Sequence, residues 1–256
     1  MRGRHLALTP SRRLVCDLMW LSLGIPRVTV QRRMNLAALR EARKTTGANG
    51  ASPSWTALLT LAYARLAQEY PELRRAFLRW PWPHLYEYPA SIASIAFERE
   101  LAGERAVLLG RIKAPEMRSL AEIDAMIRHY RETPAADIPE FARALRVARL
   151  PGFLRRMMMG LAYQSGRHRA NYFGTFQFSV YSGLGAESFN PLTPLTTLLN
   201  YGPLAPDGGV DVRILYDHRV MDGATVARAL GRFETILNVE LPAEIAAASA
   251  PTSIPG

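Results

Sequence analysis

One histidine in this sequence stands in a setting that suits acid–base chemistry. Residues 216–230 read YDHRVMDGATVARAL, so His218 precedes Asp222 by four positions and Gly223 follows the aspartate directly. A neutral imidazole takes up a proton near physiological pH, and a nearby carboxylate can orient it. On the residues alone, a structural histidine beside an aspartate at a helix start explains the pattern equally well.

The segments around His218 predict a strand that leads into a helix. Apolar residues alternate before the histidine, at Val210, Val212, Ile214 and Tyr216. After Gly223 they recur at helical spacing, at Val226, Leu230, Phe233 and Leu237. His218 is therefore expected in a strand-to-helix connection, where functional groups are often presented. The helix dipole favours Asp222 at the helix start, and Gly223 permits close backbone approach.

Further helices and strands are predicted along the rest of the chain. The helices are 11–24, 54–70 capped by Ser54, 119–132 with a capping box of Ser119 and Glu122, a Pro-started segment 134–172, and 224–238. The strands are 27–36, 90–98, 105–113, 175–181, 195–201 and 210–217. No internal repeat or interdomain linker is visible. The pattern predicts an α/β (α+β two-layer) fold with a mixed sheet covered by helices, as a single domain over 1–256.

Composition excludes several classes of site. The single cysteine, Cys16, rules out an internal disulfide framework, and we expect it to be a small buried helix residue, not a nucleophile. The five histidines lack metal-ligand spacing, so no metal is expected. The basic and then apolar N-terminus superficially resembles a signal peptide, but Asp17 interrupts it, and no run of 18 apolar residues occurs. A cytoplasmic protein is predicted.

The formal net charge of +10 bears on the choice of partners. The arginines are spread along predicted helices without a zinc-finger or recognition-helix motif, so a solvated basic surface is favoured over a nucleic-acid site. Such a surface also attracts phosphorylated cofactors, acidic carrier proteins and anionic membranes.

Five ordered stretches resemble the catalytic domain of the acyltransferase component of 2-oxo acid dehydrogenase complexes, which shares its fold with chloramphenicol acetyltransferase. The first is the His-x-x-x-Asp-Gly signature at His218, Asp222 and Gly223. The other four are 8–19 with 24–43, YPELRRAF, SLAEIDAMIRHYRE and GTFQFSVYS. Together they cover most of residues 9–240.

This resemblance implies a set of roles for residues of the chain. His218 would act as general base and Ser179 as the hydroxyl that stabilises the oxyanion. Arg12 or Arg13, both in the first helix, would pair with Asp222, and the alternative for either is an exposed arginine. Active sites would form between subunits of a homotrimer. The implied co-substrate is an acyl-CoA or acyl-carrier thioester whose acyl group passes to a thiol, hydroxyl or amine.

The predicted strand around Ser179 agrees in part with that role. Its alternation places Phe176, Phe178 and Val180 on one face and Thr175, Gln177, Ser179 and Tyr181 on the other. Ser179 would then lie on a polar face that could line a cleft. The alternative is a strand serine that faces solvent.

The chain also departs from the family pattern. Lipoyl and peripheral-subunit-binding domains are not found in these residues, Val180-Tyr181-Ser182 replaces Asn-Leu-Gly, and the low-complexity tail 241–256 lacks the leucine-rich end that joins trimers into cages. A stand-alone trimeric acyltransferase is therefore expected. A dehydrogenase-complex core acting on a lipoyl domain of another chain, with lipoamide as co-substrate, and a non-catalytic trimeric scaffold remain alternatives.

The helical insert 134–172 is longer than the family's connection. It carries seven arginines, which are Arg143, Arg146, Arg149, Arg155, Arg156, Arg167 and Arg169. These are expected either to lie in water or to bind an anionic partner. Apolar residues within 153–159 adjoin two of them, which would suit contact with a membrane surface.

Overall fold

A six-stranded mixed sheet forms the centre of the molecule. The computed structural model describes residues 1–48, 52–101, 103–179 and 185–249. In chain order the strands of this sheet are β1 (Arg27–Asn35), β4 (Ile92–Leu101), β5 (Glu104–Lys113), β6 (Phe176–Phe178), β7 (Thr197–Tyr201) and β8 (Gly209–Asp217). Their spatial order is β1-β8-β7-β6-β4-β5, and a separate hairpin pairs β2 (Arg75–Leu78) with β3 (His84–Glu87). The pairs β4–β6 and β6–β7 are parallel and the others antiparallel.

Nine α-helices surround the sheet within the described ranges. They are α1 (Pro10–Ser22), α2 (Ala37–Ala48), α3 (Trp55–Glu69), α4 (Leu120–Glu132), α5 (Pro139–Ala148), α6 (Gly152–Gln164), α7 (Gly166–Phe173), α8 (Gly223–Thr235) and α9 (Leu241–Ser249). A π-helical turn, Ile236–Glu240, joins the last two. The predicted fold class, a mixed sheet covered by helices, is confirmed.

The main core lies on the face of the sheet covered by α3, α4 and α8. Tyr63 of α3 stands between Phe176 and Phe233, with ring centroids 4.4 Å and 6.2 Å away. Both predicted caps are confirmed: Ser54 accepts the Ala57 N–H, and Ser119 forms a capping box with Glu122. These caps satisfy helix N–H groups that would otherwise lack partners.

The opposite face of the sheet is covered by α1 together with the helical insert. The insert, predicted as one helical segment, consists of three helices, α5 to α7. A small apolar cluster of Leu21, Phe173 and Leu195 joins α1 and α7 to the start of β7. The Tyr163 hydroxyl of α6 donates to the Pro194 carbonyl at 2.8 Å, which ties the insert to the same place.

Two insert arginines are buried, which corrects the expectation that all seven lie in water or meet a partner. Arg155 forms a buried ion pair with Asp17 of α1, whose side chain is 0% exposed. Arg169 donates to the carbonyls of Phe77 and Pro194 at 3.0 and 2.9 Å and lies over the Tyr163 ring. Both guanidinium groups hold the insert on the domain.

The exposure of Cys16 also differs from the expectation of a buried residue. Cys16 is exposed, and its neighbour Asp17 points inward instead. The reason is the ion pair with Arg155, which fixes the rotation of α1 so that its buried side carries a carboxylate.

Several elements were not predicted from the sequence. These are α2, the hairpin β2–β3 and helix α9, which occupies 241–249 of the predicted low-complexity tail. The strand predicted over 175–181 corresponds to β6, which is followed by Ser179. Its last two residues, Val180 and Tyr181, lie outside the described residues, and so does Ser182. No helix within the described ranges has the length and apolar character needed to span a membrane.

Candidate active site

The loop that carries His218 is fixed by hydrogen bonds on both sides. The His218 N–H donates to the Pro26 carbonyl at 3.0 Å, and the Val220 N–H donates to the Asp217 carbonyl at 3.0 Å. The Arg219 guanidinium donates to both carboxylate oxygens of buried Asp217, at 2.9 and 2.7 Å. The chain thus leaves β8 in one defined conformation, and the imidazole is presented from a rigid base.

The His218 side chain itself is accessible. It is 47% exposed, and its Nδ1 lies 3.7 Å from Oδ1 of Asp222, whose side chain is 84% exposed. That distance is too long for a hydrogen bond, so the contact is electrostatic. Asp222 occupies the N-cap position of α8, as predicted, where the helix dipole favours its negative charge. The arrangement leaves the imidazole nitrogens free to meet a ligand from solvent.

Tyr216 forms the floor beneath this imidazole. Its ring centroid lies 5.6 Å from that of His218, and the side chain is buried. Burial and then the charge of Asp222 raise the pKa of the Tyr216 hydroxyl above its usual range. A Cβ added at Gly223 would stand 3.2 Å from this hydroxyl, so any larger residue at this position would crowd Tyr216.

Ser179 lies in a different place, at the carboxyl end of β6. It is 4% exposed, which excludes the alternative of a strand serine in solvent. Its N–H donates to the Leu199 carbonyl at 3.2 Å. A cavity of about 330 Å³ contacts it, with Arg12 of α1, Gln177 and Ser188 also in its wall. Gln177 and Ser179 of the predicted polar face therefore do line a cleft, which we call the serine cavity.

His218 and Ser179 are remote from each other within one chain. The register aligns Ser179 with Asn200 of β7, and Asn200 with Arg213 of β8. His218 follows Arg213 by five residues and lies two strands away from Ser179. With about 3.4 Å per residue and about 4.8 Å between strands, the separation is roughly 20 Å. One subunit alone cannot apply both residues to the same substrate.

The two candidate arginines do not contact Asp222 within the chain. Arg12 lines the serine cavity, and Arg13 Nε donates to the Leu8 carbonyl at 3.1 Å. Both are at the start of α1, whereas the loop of His218 contacts the other end of this helix, where Arg219 donates to the Gly24 carbonyl at 3.2 Å. The predicted pairing of either arginine with Asp222 stays a prediction about neighbouring subunits.

Polar residues beside Ser179 were missed by the sequence analysis. Arg213 is buried, donates to Gln31 Oε1 at 2.6 Å and forms a 2.6 Å ion pair with Glu187. Asn200 donates to the Ser188 carbonyl at 2.9 Å. Side chains at 179, 200 and 213 therefore form a polar row across three strands. Only the strand register brings them together, so no local motif could have shown them.

A larger cleft of about 980 Å³ adjoins the loop of His218. It lies between α1, α6 and the hairpin β2–β3, and its wall contains Arg219, the residue after the histidine. Two further guanidinium groups, Arg79 and Arg156, and the indoles of Trp20 and Trp80 also line it. We call it the histidine cleft. Arg219 is paired with Asp217 and Arg156 lies 3.6 Å from Asp17, whereas Arg79 forms no ion pair within the described residues. The cleft therefore offers an anionic ligand mainly Arg79 and the exposed side of Arg156, beside two indoles.

Comparisons with known proteins identify the fold. No protein-family profile matches the sequence. No curated protein matches it either. Among solved structures, the chain is similar to a truncated catalytic core of the 2-oxoacid dehydrogenase multienzyme complex from Thermoplasma acidophilum. The two are 15% identical, with 93% of this chain and 99% of that chain covered and a TM-score of 0.68.

Two further structures are similar over most of the chain. A dihydrolipoamide acetyltransferase from Azotobacter vinelandii, studied for the role of a serine, a histidine and an asparagine in its catalytic mechanism, is 20% identical, covers 93% of each chain and has a TM-score of 0.65. A chloramphenicol acetyltransferase is 13% identical, with 88% of this chain and 94% of that chain covered and a TM-score of 0.51. These likenesses confirm the fold that the sequence motifs predicted.

Proposed function

We propose that this chain, which has the fold of 2-oxoacid dehydrogenase acyltransferase cores and of chloramphenicol acetyltransferase, is itself an acyltransferase. The observation that carries the proposal is the pose of His218: a half-exposed imidazole on a loop fixed by Pro26, Asp217 and Arg219. Its four-residue spacing to Asp222 equals that between the histidine and the asparagine named for the Azotobacter vinelandii enzyme.

The reaction is a direct transfer between two substrates. Neutral His218 removes the proton from the thiol, hydroxyl or amine of the acceptor as that atom attacks the thioester carbonyl. The carbonyl oxygen becomes an oxyanion and accepts a hydrogen bond from the Ser179 hydroxyl. The C–S bond then breaks, and the leaving thiolate takes the proton from the imidazolium. General-base help contributes roughly 10²–10⁴-fold, and one oxyanion donor about 10²–10³-fold.

The active site in this proposal is shared between subunits of a trimer. The separation of roughly 20 Å between His218 and Ser179 within one chain requires it, because the two must lie within hydrogen-bond reach of one tetrahedral intermediate. The start of a neighbour's α1 would bring Arg12 and Arg13 with Ser179 toward Asp222. Light scattering on the purified protein should give three chains per particle, and a monomer would contradict this assembly.

The thioester donor in this proposal is anionic. Arg79, which forms no ion pair within the described residues, and the half-exposed Arg156 line the histidine cleft beside two indoles, whereas the Arg219 guanidinium in the same wall is already paired with Asp217. This lining suits the phosphates and base of coenzyme A or an acidic acyl carrier protein. Raising the salt concentration should increase KM for the donor more than it lowers kcat, because exposed charges are screened over about 8–10 Å near physiological ionic strength.

The test is a transfer assay with a panel of acyl-CoA thioesters and small acceptors, followed by release of the free thiol. His218→Ala should lose at least ~100-fold in kcat/KM while the circular dichroism spectrum stays that of the wild type. His5→Ala serves as the matched control, because His5 is an exposed histidine outside the predicted elements. Equal turnover by the two variants would remove His218 from the mechanism.

A core role in a 2-oxoacid dehydrogenase complex is the second candidate. The coverage of such a catalytic core, 99% of that chain, is the observation that favours it. Dihydrolipoamide and a free lipoyl domain should then be better acceptors than any small thiol, hydroxyl or amine. Equal use of a simple thiol and the lipoyl domain would leave the stand-alone enzyme as the assignment.

A further inference from the structure

A second cavity, of about 580 Å³, lies between the helical insert and the edge of the sheet. Four helices, α1, α5, α6 and α7, and strand β5 form its walls. The side chains are mostly apolar, among them Leu14, Leu18, Leu109, Ala144, Met159 and Phe173. Its volume is within the range of about 300–1,000 Å³ that holds small ligands in proteins. We call it the insert cavity.

The insert cavity adjoins the serine cavity. Val15 and Leu18 of α1 line both, and so do Val107 and Leu109 of β5. Along β5 the order is Arg105 at the serine cavity, the two shared residues, and Arg111 at the far end of the insert cavity. Together the two adjoining spaces follow the strand from Arg105 to Arg111, or roughly 20 Å, and the residues that they share are apolar.

The polar groups are confined to the two ends of this space. Ser179, Arg12 and Gln177 lie at one end, and Arg111, Glu140 and Arg143 at the other. At the far end, Arg111 donates to the Tyr172 carbonyl at 2.9 Å, and Glu140 accepts from the Tyr130 hydroxyl at 3.1 Å. The stretch between them offers a ligand only apolar contact, because its side chains are hydrocarbon and thioether.

We propose that the insert cavity holds the hydrocarbon chain of the transferred acyl group, so that the substrate is an acyl thioester with a chain of medium or greater length, not an acetyl thioester. This inference rests on the proposed function, because the thioester carbonyl must lie at Ser179. A carbonyl placed there has its chain beside the insert cavity, since Val15 and Val107 line both spaces.

The burial of hydrocarbon sets the expected chain-length dependence. Each methylene taken from water into an apolar site strengthens binding by up to roughly fourfold, equivalent to about 0.8 kcal/mol. An acetyl group cannot reach past the shared residues and gains none of this. The gain should stop once the chain fills the cavity, and this plateau distinguishes a site of limited volume from unspecific partition.

Two methionines of the insert suit this role. Met158 and Met159 line the cavity on α6, and an unbranched, polarizable side chain adapts to ligands of irregular shape. They belong to the apolar stretch that a membrane contact would use, but these two contribute to the cavity wall. Met157 lines the histidine cleft, so this stretch does not form one flat surface.

The test measures binding without turnover, in the His218→Ala protein. The fluorescent fatty acid cis-parinaric acid is titrated in and then displaced by saturated fatty acids from butanoate to hexadecanoate. We expect saturable binding of one molecule per chain, and displacement that tightens with length until it levels off. Ala144→Trp fills the cavity and should weaken binding by at least ~10-fold, the contribution of about two methylenes, and move the plateau to shorter chains.

Controls keep this result interpretable. Ala125→Trp makes the same change at an exposed position of α4, outside the cavity, and should leave binding unchanged. Leu161→Trp fills the cavity from its exposed rim, and it serves if Ala144→Trp fails to fold. Absence of saturable binding, or equal binding by the wild-type protein and the cavity-filled variants, would overturn the inference. A neighbouring subunit that occupied the insert cavity would give the same results and would overturn it too.

Turnover separates this inference from the function on which it rests. With His218 intact, Ala144→Trp should lower kcat/KM for long-chain acyl-CoA thioesters relative to acetyl-CoA, which shifts the preference toward short chains. Turnover of acetyl-CoA alone, with no response to Ala144→Trp, would refute the acyl-chain site and keep the acyltransferase. Fatty-acid binding that Ala144→Trp removes, without turnover of any thioester, would support the site and refute the proposed function.

Discussion

His218 and Ser179 lie at opposite ends of the central sheet, five strand residues and two strand spacings apart. Each is held firmly where it is: His218 by the Pro26 carbonyl and Ser179 by the Leu199 carbonyl. Because neither can move roughly 20 Å without unfolding a strand, a joint role for them requires a second subunit. The interface between subunits then becomes part of the chemistry.

Complementation between inactive variants tests this shared site. We expect His218→Ala and Ser179→Ala to be nearly inactive alone, whereas trimers that contain both should regain activity. Any mixed trimer has one interface that joins an intact His218 to an intact Ser179, so about a third of the wild-type activity should return. The measurement uses co-expressed chains with two different tags and purification over both.

The control for complementation is each variant purified through the same two columns with two tags on identical chains. These homogeneous trimers should show no recovery. Mixed trimers that are as inactive as the single variants would show that His218 and Ser179 do not act on one substrate.

The sequence predicted those parts of the fold whose causes are local. Alternation of apolar residues identified β8. The spacing of Ser119 and Glu122, whose side chains bond to backbone groups three positions away, identified a helix start. The loop of His218 was predicted for the same reason, because strand, loop and helix adjoin in the chain. The signature around His218 extended this to a catalytic hypothesis.

Features that depend on distant partners were missed. Asp17 is buried because Arg155 pairs with it, and 138 positions separate the two residues. Helix periodicity alone therefore predicted the wrong exposure for Cys16 and for Arg155. In the same way, the row of Ser179, Asn200 and Arg213 exists only through strand register, which the sequence does not specify without its partners.

The buried pair of Asp17 and Arg155 should carry much of the attachment of the insert. Asp17→Asn leaves the Arg155 guanidinium buried without a counter-charge and should lower the free energy of unfolding by about 3–5 kcal/mol. The check is urea unfolding at neutral pH and fixed protein concentration, because oligomer stability depends on concentration. Replacing both residues by apolar ones, Asp17→Leu with Arg155→Met, should recover most of this loss.

Arg156 is the matched control for that prediction. It also faces Asp17, at 3.6 Å, but its side chain is 55% exposed. Arg156→Gln should therefore change the free energy of unfolding by less than about 1 kcal/mol. Equal effects of Asp17→Asn and Arg156→Gln would show that burial of the Arg155 pair does not matter for stability.

Gly223 and Tyr216 should be coupled through one steric contact. A Cβ at Gly223 would stand 3.2 Å from the Tyr216 hydroxyl, so Gly223→Ala must displace the ring beneath His218 by a few tenths of an ångström. We expect kcat/KM to fall by roughly tenfold, because small misplacements of a catalytic group are costly. In the Tyr216→Phe background the same substitution should cost far less activity, as the hydroxyl is gone.

The contact between position 223 and the Tyr216 hydroxyl can also be measured through the stability of the protein. Alanine is favoured over glycine in a helix by up to about 1 kcal/mol, so Gly223→Ala should stabilise the Tyr216→Phe protein but not the wild type. A double-mutant cycle on thermal unfolding measures the difference. Identical effects of Gly223→Ala in the two backgrounds would mean that the hydroxyl is not the reason for the glycine.

Alkaline pH should destabilise the protein through its buried tyrosines. Burial raises the pKa of Tyr88 to about 12 and that of Tyr130 to about 12, and it also raises those of Tyr63 and Tyr216. Above pH ~10 the unfolded chain loses these protons while the folded chain keeps them, so stability falls as pH rises. Arg27 acts in the opposite direction, because burial lowers its pKa to about 10 and its folded form releases a proton first.

Tyr88→Phe isolates one of these contributions. The Tyr88 hydroxyl is buried and has no hydrogen-bond partner among the described residues, so its removal should cost little near neutral pH. Between pH ~10 and ~12 the variant should gain on the wild type by about 1.4 kcal/mol per pH unit, measured by urea unfolding. Tyr172→Phe, the same substitution at an exposed tyrosine, is the matched control. If the Tyr88→Phe and wild-type curves stay parallel through this range, Tyr88 ionises alike in the folded and unfolded chains and its burial does not set the alkaline limit.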